Sequence, residues 1–291
     1  MGKIYFDYED DIINPCWDNV FKATFTRDTP ESHGALEKLL SAIIGHELTI
    51  INITANEPPV ESINERQIRY DINCRFDEGD LCNVEMTLNP DTYEPVRLEY
   101  YSGKLFTSQD IRGQSKTYHD LKHSYQIALL VNSPVYNDEI FVHRFKYFDE
   151  EHGISLGGRT HIIAIELSKL DSISRKPVEE MTSLERWAVF FRYTPDKEKR
   201  ELVNEILKCE EGIAMAGQVL LTISKDEVER ARLLSEYKYA VDLQSKTVEA
   251  ERGKQRAIAK RLLKLGASVE LVVGGTELDE STVLGLREEI D

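Results

Sequence analysis

Two carboxylates, Asp71 and Glu85, stand in segments that otherwise read as strands, RYDINCRF and LCNVEMTL. Asp and Glu are depleted in strands, and burying a carboxylate is costly unless something pairs with it. The segments flank Asp-Glu-Gly-Asp, a turn centred near Gly79. If Gly79 takes the left-handed position of a three-residue loop, counting outward brings Asp71 opposite Glu85, with Thr87 two residues further along the same face.

This pairing predicts a metal site. Directly opposed residues on one sheet face have Cβ atoms about 4.5–5.5 Å apart, and two carboxylates at that separation repel unless one is protonated or a cation bridges them. A hard ion such as Mg²⁺ prefers oxygen ligands. It can generate a nucleophile from water and act as a Lewis acid on a phosphoryl oxygen. Alternatively, both acids are solvated on an exposed face, or a one-residue change of register separates them.

Other residues that could do chemistry give weaker patterns. His119 and His123 are four residues apart and could bind zinc on one helix face, but no third ligand is evident, and surface histidines are the favoured interpretation. The four Cys residues show no C-x-x-C spacing, which predicts neither a zinc knuckle nor a disulfide framework. The basic run RGKQRAIAKRLLK (252–264) could contact a DNA backbone or be the solvated face of a helix.

Composition and net charge limit the classes of function that the chain can have. The chain has 291 residues, of which 41% are hydrophobic and 30% charged, as in a soluble globular protein. Its net charge of −16 argues against broad phosphate binding but not against a locally basic groove or a metal that supplies positive charge. The sequence contains no apolar run of membrane-spanning length and no signal-peptide stretch at its start, so we expect a cytoplasmic protein without a membrane partner.

The elements that must position these residues follow from periodicity. Two helices precede three strands, a further helix covers residues 94–110, and three more strands follow, an order that predicts α/β or α+β packing on one central sheet. The predicted strands are 48–53, 67–76, 81–88, 124–132, 139–149 and 161–167. After Pro177 the pattern is helical to the C-terminus. We therefore predict a domain at 1–175 and an all-helical region at 176–291.

The surrounding sequence resembles a known family. Asp, a hairpin, then Glu-x-(Lys or Gln) on the next strand looks like the core of the PD-(D/E)xK nucleases. This resemblance implies a restriction-endonuclease-like α/β fold with a mixed central sheet flanked by helices. Longer segments resemble the recombination-promoting nuclease and transposase family called Rpn, over nearly the whole chain. These segments are WDNVFKATF (17–25), IRYDINCRF (68–76), NVEMTLNP (83–90), RLEYYSGKLF (97–106), IRGQSKTYHDLKHSYQIALLVN (111–132), LERWAVFF (184–191) and IAKRLLKLGASVELVVGGTELDESTVLGL (258–286).

The resemblance implies roles for individual residues. Asp71 and Glu85 would be the carboxylates that bind Mg²⁺ or Mn²⁺, with the backbone carbonyl of Met86 as a further ligand. Asp18 matches the family's acidic position before Phe-Lys, where it completes the metal site or simply caps or solvates the first helix.

The third motif position departs from the family, because Thr87 stands where Gln or Lys is usual. A threonine hydroxyl is shorter and uncharged, and it cannot reproduce the electrostatics of an ammonium group. Either a neighbour such as Arg69 or Lys104 supplies the missing group, or the nuclease is weak or inactive.

The resemblance therefore implies a Mg²⁺-dependent DNA endonuclease of bacterial origin, linked to recombination or mobile elements. The alternative is a catalytically weak or inactive nuclease-fold protein that acts as a DNA- or protein-binding regulator. The C-terminal helices combine apolar stripes with dense mixed charge, a pattern that predicts a homo-oligomer.

Overall fold

The computed structural model describes residues 4–54, 70–111 and 116–289. Its six-stranded sheet has the order β1-β2-β3-β4-β6-β5. The strands are β1 (Ile50–Ile53), β2 (Ile72–Phe76), β3 (Asp80–Thr87), β4 (Ser124–Leu130), β5 (Val142–Phe145) and β6 (Thr160–Glu166). The helices are α1 (Asp18–Phe25), α2 (Pro30–Ile44), α3 (Glu94–Thr107), α4 (Ser183–Tyr193), α5 (Arg200–Cys209), α6 (Glu211–Lys225), α7 (Glu227–Lys264), α8 (Val269–Thr276) and α9 (Glu280–Glu288).

The sheet is mixed, which confirms the predicted fold class. Strands β1, β2 and β3 form an antiparallel meander, β3, β4 and β6 run parallel, and β5 pairs antiparallel with β6 at the edge. The parallel centre is buried on both faces, and every residue of β4 is buried. The edge strand β5 is much shorter than the predicted 139–149 and half-exposed, since only one side of it pairs within the sheet.

Helices cover the two sheet faces with separate cores. One face packs against α1, α2, α4, α5 and α6 in the main core. On the other face, Leu98 of α3 packs on Ala128, Leu130 and Ala164. As the four-residue spacing predicts, Phe21 and Phe25 of α1 are fully buried. Helix α3 therefore lies directly over the strands that follow the β2–β3 hairpin.

The second helix ends where the sequence predicts. The hydroxyl of Thr29 caps its start by accepting from the Ser32 N–H at 3.2 Å, and Pro30 occupies the first turn. Gly45 ends the helix in the left-handed conformation at φ 100°. This helix packs on α6 and so anchors the N-terminal part of the chain to the main core.

The chain divides into two compact units, Met1–Leu233 and Leu234–Asp291. Helices α4, α5 and α6 share the main core with the sheet, so the first unit continues beyond the sheet. In the second unit, α8 and α9 enclose a small apolar cluster with the end of α7. The predicted domain boundary at 175/176 coincides with the change from mixed to helical secondary structure. As a boundary between domains it stays a prediction. Among the described residues, no helix is both long and apolar enough to cross a membrane.

Candidate active site

The β2–β3 hairpin has the register that loop counting predicts. Its loop contains two residues with positive φ, Asp77 at 48° and Gly79 at 104°, and Phe76 pairs with Asp80. The ladder continues outward to Ile72↔Val84. One residue further, the backbone N–H of Asp71 lies 3.3 Å from Oε1 of Glu85. The two carboxylates therefore share one end of the hairpin.

Asp71 is 9% exposed and makes two close contacts. Its Oδ2 accepts a hydrogen bond from the backbone N–H of Met86 at 2.8 Å. Its Oδ1 lies 3.1 Å from Nζ of Lys22, which also pairs with Asp18 Oδ1 at 2.8 Å. Helix α1 thus places Asp18 next to Lys22, whose ammonium group also contacts Asp71, and the role of Asp18 as a metal ligand stays a prediction.

Glu85 is 5% exposed and is held by carboxamides. Its Oε1 accepts from Nδ2 of Asn83 at 2.8 Å, and the same nitrogen donates to Oε1 of Gln126 on β4 at 2.9 Å. Asn83 and Gln126 are register partners in the parallel β3–β4 pair. This chain of amides fixes one carboxylate oxygen of Glu85 without adding a charge.

The electrostatics of the pair show a surplus of negative charge. The pKa of Asp71 is raised to about 7, mainly by burial and then by the charge of Asp18, because Lys22 and the Met86 N–H only partly offset these two effects. Burial raises the pKa of Glu85 to about 8, and the neighbouring Asp71 contributes to the increase. A hard divalent cation would remove this repulsion, and the all-oxygen donor set fits Mg²⁺ or Mn²⁺.

The hydroxyl of Thr87 contacts a positively charged side chain, that of Arg97. Nη2 of Arg97 on α3 donates to Thr87 Oγ1 at 2.6 Å and to Oε1 of the buried Glu94 at 2.7 Å. Of the two sequence-based candidates for this role, Lys104 has its Nζ 5.8 Å from the ring centre of Tyr100, and Arg69 falls outside the described residues. Arg97 is therefore the cation that the structure places at the third motif position.

A second acidic cluster lies at the β5–β6 edge of the sheet. Among the described residues, Asp138, His143 and Glu166 form a group whose ligand atoms lie within 4.8 Å of one another. Lys169 fills this cluster, since its Nζ lies 2.9 Å from Asp138 Oδ1 and pairs with Glu166 Oε2. The hydrogen bond from Lys169 lowers the pKa of Asp138. The lysine already supplies the cation, so we interpret this cluster as structural.

Sequence reasoning missed four residues that contact the predicted site residues, Lys22, Asn83, Glu94 and Arg97, and also Gln126, which contacts Asn83. A signal existed for Lys22, which follows Asp18 by four residues and so shares its helix face. Asn83 precedes Glu85 by two residues on the same strand and therefore on the same sheet face. No sequence spacing connects Arg97 or Gln126 with the hairpin, because both reach it through packing of separate elements.

The two predicted zinc-spaced histidines are not brought together on a helix. Residues Tyr118–Asp120 form one short 3₁₀ turn, and His123 directly precedes β4. His119 is exposed, in agreement with the favoured interpretation. The imidazole of His123 instead contacts that of His161, with Nδ1 and Nε2 3.0 Å apart.

A mixed sheet whose central hairpin carries an Asp and a Glu at one end defines a nuclease-type core. The chain matches a family model described as PD-(D/E)XK nuclease family transposase over residues 15–250. It therefore belongs to this family, which confirms the family resemblance and supports a nuclease-type function. No curated protein and no solved structure matched the chain.

Proposed function

We propose that this protein is a metal-dependent DNA endonuclease that hydrolyses phosphodiester bonds with Mg²⁺ or Mn²⁺. The observation that supports it most directly is the buried pair Asp71 and Glu85, whose raised pKa values mark negative charge that the chain itself does not neutralise. Family membership supports DNA as the substrate. We place this activity in the cytoplasm, in recombination or the movement of mobile elements.

The carboxylates of Asp71 and Glu85 would hold the metal ion, with Asp18 and the carbonyl of Met86 as further ligands. When bound, the ion supplies a Lewis acid and lowers the pKa of water. Asn83 orients the Glu85 carboxylate through the hydrogen bond from its amide nitrogen. The ammonium of Lys22 reduces repulsion between Asp18 and Asp71 before the ion arrives.

Arg97 would supply the positive charge that the family usually provides at position 87. Its guanidinium is held in place by Thr87 and Glu94, so its orientation is fixed before substrate binds. A fixed cation of this kind stabilises charge that develops on a phosphate oxygen in the transition state. Thr87 then acts as a positioning residue for Arg97.

Cleavage of a supercoiled plasmid tests this proposal. We expect nicking or linearisation with Mg²⁺ or Mn²⁺ and none with EDTA. The near-isosteric variants Asp71→Asn and Glu85→Gln should each be inactive, because an amide cannot replace a carboxylate as a ligand for a hard cation. The matched control is Asp138→Asn in the second acidic cluster, which should cleave within about twofold of wild type.

The alternative function is a binding protein that retains the nuclease fold. The uncharged Thr87 and the net charge of −16 favour it. If Mg²⁺ binds to wild type by calorimetry but no DNA is cleaved under any condition, the endonuclease proposal fails and the binding role is supported. If Asp71→Asn cleaves as well as wild type, the assigned metal site is wrong.

We also propose that the C-terminal helices mediate self-association. Helix α7 exposes Tyr239 and Leu243 in the second compact unit, and their four-residue spacing places them on one face that could pack on a partner helix. Light scattering of the full chain against a chain ending at Leu233 tests this. The full chain should be larger than a monomer and the shortened chain monomeric; two monomers would refute it.

A further inference from the structure

The outer face of α3 carries an apolar stripe that the fold does not use. Tyr93, Val96 and Tyr100 are 74%, 63% and 45% exposed. Spacings of three and four residues place all three on one face of the helix. The opposite face of α3 packs on the sheet through Leu98 and Leu105. The stripe is thus an exposed surface, set apart from the core.

Gly103 extends the same stripe and is exposed. A Cβ added at this position would meet no atom within 4 Å. Glycine weakens a helix interior relative to alanine, and it is usually retained where another backbone or a ligand approaches closely. No packing contact of the described residues accounts for this glycine. A bare stretch of backbone therefore lies one turn beyond Tyr100.

The stripe leads away from the candidate active site along one helix. Arg97, which holds Thr87, lies between Val96 and Tyr100, and Nζ of Lys104 lies 5.8 Å from the ring centre of Tyr100. Tyr93 and Tyr100 are separated by about 10 Å along the helix axis. A ligand on this face would therefore meet two tyrosine rings and the ammonium of Lys104, on the same helix that carries Arg97.

We propose that this face of α3 binds unpaired nucleotides of the DNA substrate by base stacking, an inference that rests on the proposed nuclease function. Base faces are hidden in a duplex and are available for stacking on tyrosine only where the strands are unpaired. The exposed Glu99 beside the stripe keeps the surface from being strongly basic. Stacking suits such a surface, because it does not depend on net charge as phosphate binding does.

The net charge of −16 makes this mode the favoured one for the chain. A protein that binds duplex DNA through many phosphates gains its affinity from counterion release, and an acidic chain gains little in that way. We therefore expect binding to single strands to be tighter than to a blunt duplex.

Fluorescence anisotropy in EDTA tests the proposal without cleavage. The probes are a labelled single-stranded oligonucleotide, the same sequence as a blunt duplex, and that duplex with a single-stranded overhang. Tyr93→Ala and Tyr100→Ala should each weaken single-strand and overhang binding about 5- to 100-fold, and blunt-duplex binding less than twofold. Tyr100→Phe should bind like wild type. The matched control, Tyr147→Ala on the exposed β5 side, should change nothing.

Gly103→Ala gives a second, independent readout. Alanine should raise the thermal midpoint of the free protein, since it is the better helix former and meets no clash. It should at the same time weaken single-strand binding by filling the space that the nucleotide occupies. A more stable variant with undiminished binding would overturn the proposed approach of DNA to this backbone.

Failure of this inference is distinguishable from failure of the endonuclease proposal. If wild type cleaves DNA but Tyr93→Ala and Tyr100→Ala bind every probe normally, the stacking surface is refuted and the nuclease stands. If binding depends on the tyrosines but no DNA is cleaved with metal, the surface is supported and the nuclease is refuted. A dimer that dissociates in Tyr93→Ala would show a second copy of the chain as the occupant and overturn the inference.

Discussion

Two acidic clusters of the first compact unit differ in how their charge is balanced. Asp71 and Glu85 lie on the β2–β3 hairpin, and the pKa of each is raised, to about 7 and about 8. Asp138 and Glu166 lie near the opposite edge of the sheet, where Lys169 bridges them and the pKa of Asp138 is lowered. In the first cluster the charge of the carboxylates is only partly balanced, and in the second one ammonium group contacts both carboxylates.

The comparison shows why close packing of ligand atoms is a poor guide to a metal site. The cluster around Glu166 has the tighter geometry, with three ligand atoms within 4.8 Å of one another. A metal ion there would have to displace the ammonium of Lys169, which lies in the protein interior. At the hairpin Lys22 contacts Asp71, yet the pKa values of Asp71 and Glu85 both stay raised, so a further cation would relieve the remaining repulsion. Electrostatics therefore points to the hairpin, although distance alone favours the other cluster.

The largest expected effect is a loss of stability when Lys169 is replaced. Lys169→Met should lower the free energy of unfolding by about 3–5 kcal/mol, because it leaves the fully buried Glu166 without its cation. Urea unfolding followed by circular dichroism measures this. The control is Lys38→Met, whose partner Glu47 is exposed, so the loss should be below about 1 kcal/mol. Equal losses in both variants would show that Glu166 is not charged in the folded protein.

The next effect concerns catalysis at the hairpin. Arg97→Met should reduce the cleavage rate on the order of 10²–10³-fold, the usual loss for a fixed charge-stabilising donor. The exposed Arg192, replaced by Met, is the control and should leave the rate unchanged. Thr87→Lys should restore part of the activity in the Arg97→Met background by placing an ammonium on the same face as Glu85. Full activity in Arg97→Met would remove Arg97 from the mechanism.

Magnesium should stabilise only one of the two clusters. At a free concentration about 100 times the Kd, Mg²⁺ adds about 2.7 kcal/mol to the free energy of unfolding of a protein with one site. Scanning calorimetry should show this gain in wild type and in Asp138→Asn, but not in Asp71→Asn. In Lys22→Met the gain should be larger at equal Mg²⁺, because no ammonium competes for Asp71. A gain that is lost in Asp138→Asn would exchange the roles of the two clusters.

The smallest effect is a pH dependence in the metal-free protein. The folded-state pKa values of Asp71 and Glu85 lie above the ordinary values near 4. The folded state therefore binds more protons than the unfolded state between about pH 4 and pH 8. Their contribution to stability is fully present below pH 4 and is lost as pH rises towards 8. In EDTA, wild type should lose more than about 1 kcal/mol between pH 5 and pH 8.

The control for this pH dependence is the double variant Asp71→Asn, Glu85→Gln, which should lack this loss of stability over the same range. Asp138→Asn should retain the wild-type slope, since the pKa of Asp138 lies below its ordinary value and the group stays charged throughout. A wild-type protein whose stability rises with pH from 5 to 8 would contradict the raised pKa values.

Local patterns predicted the hairpin well, because loop length determines which residues face each other. Gly79 marked the left-handed position, and the register followed by counting to Asp71 and Glu85. Strand order was beyond reach, since β6 lies between β4 and β5 and no local signal specifies that partner. The sequence also could not predict that Arg97 is the cation beside Thr87, because Arg97 reaches Thr87 only when α3 packs on the sheet.

The N-terminal segment has a consequence for synthesis on the ribosome. Its backbone is bound by residues far along the chain: Phe6 exchanges hydrogen bonds with Asn204, and the N–H of Ile13 donates to Ser224 Oγ at 3.1 Å. The segment that carries Asp18 and Lys22 therefore cannot adopt its native conformation until α6 has left the exit tunnel. We expect the proposed endonuclease activity to be absent from a nascent chain until most of it has been translated.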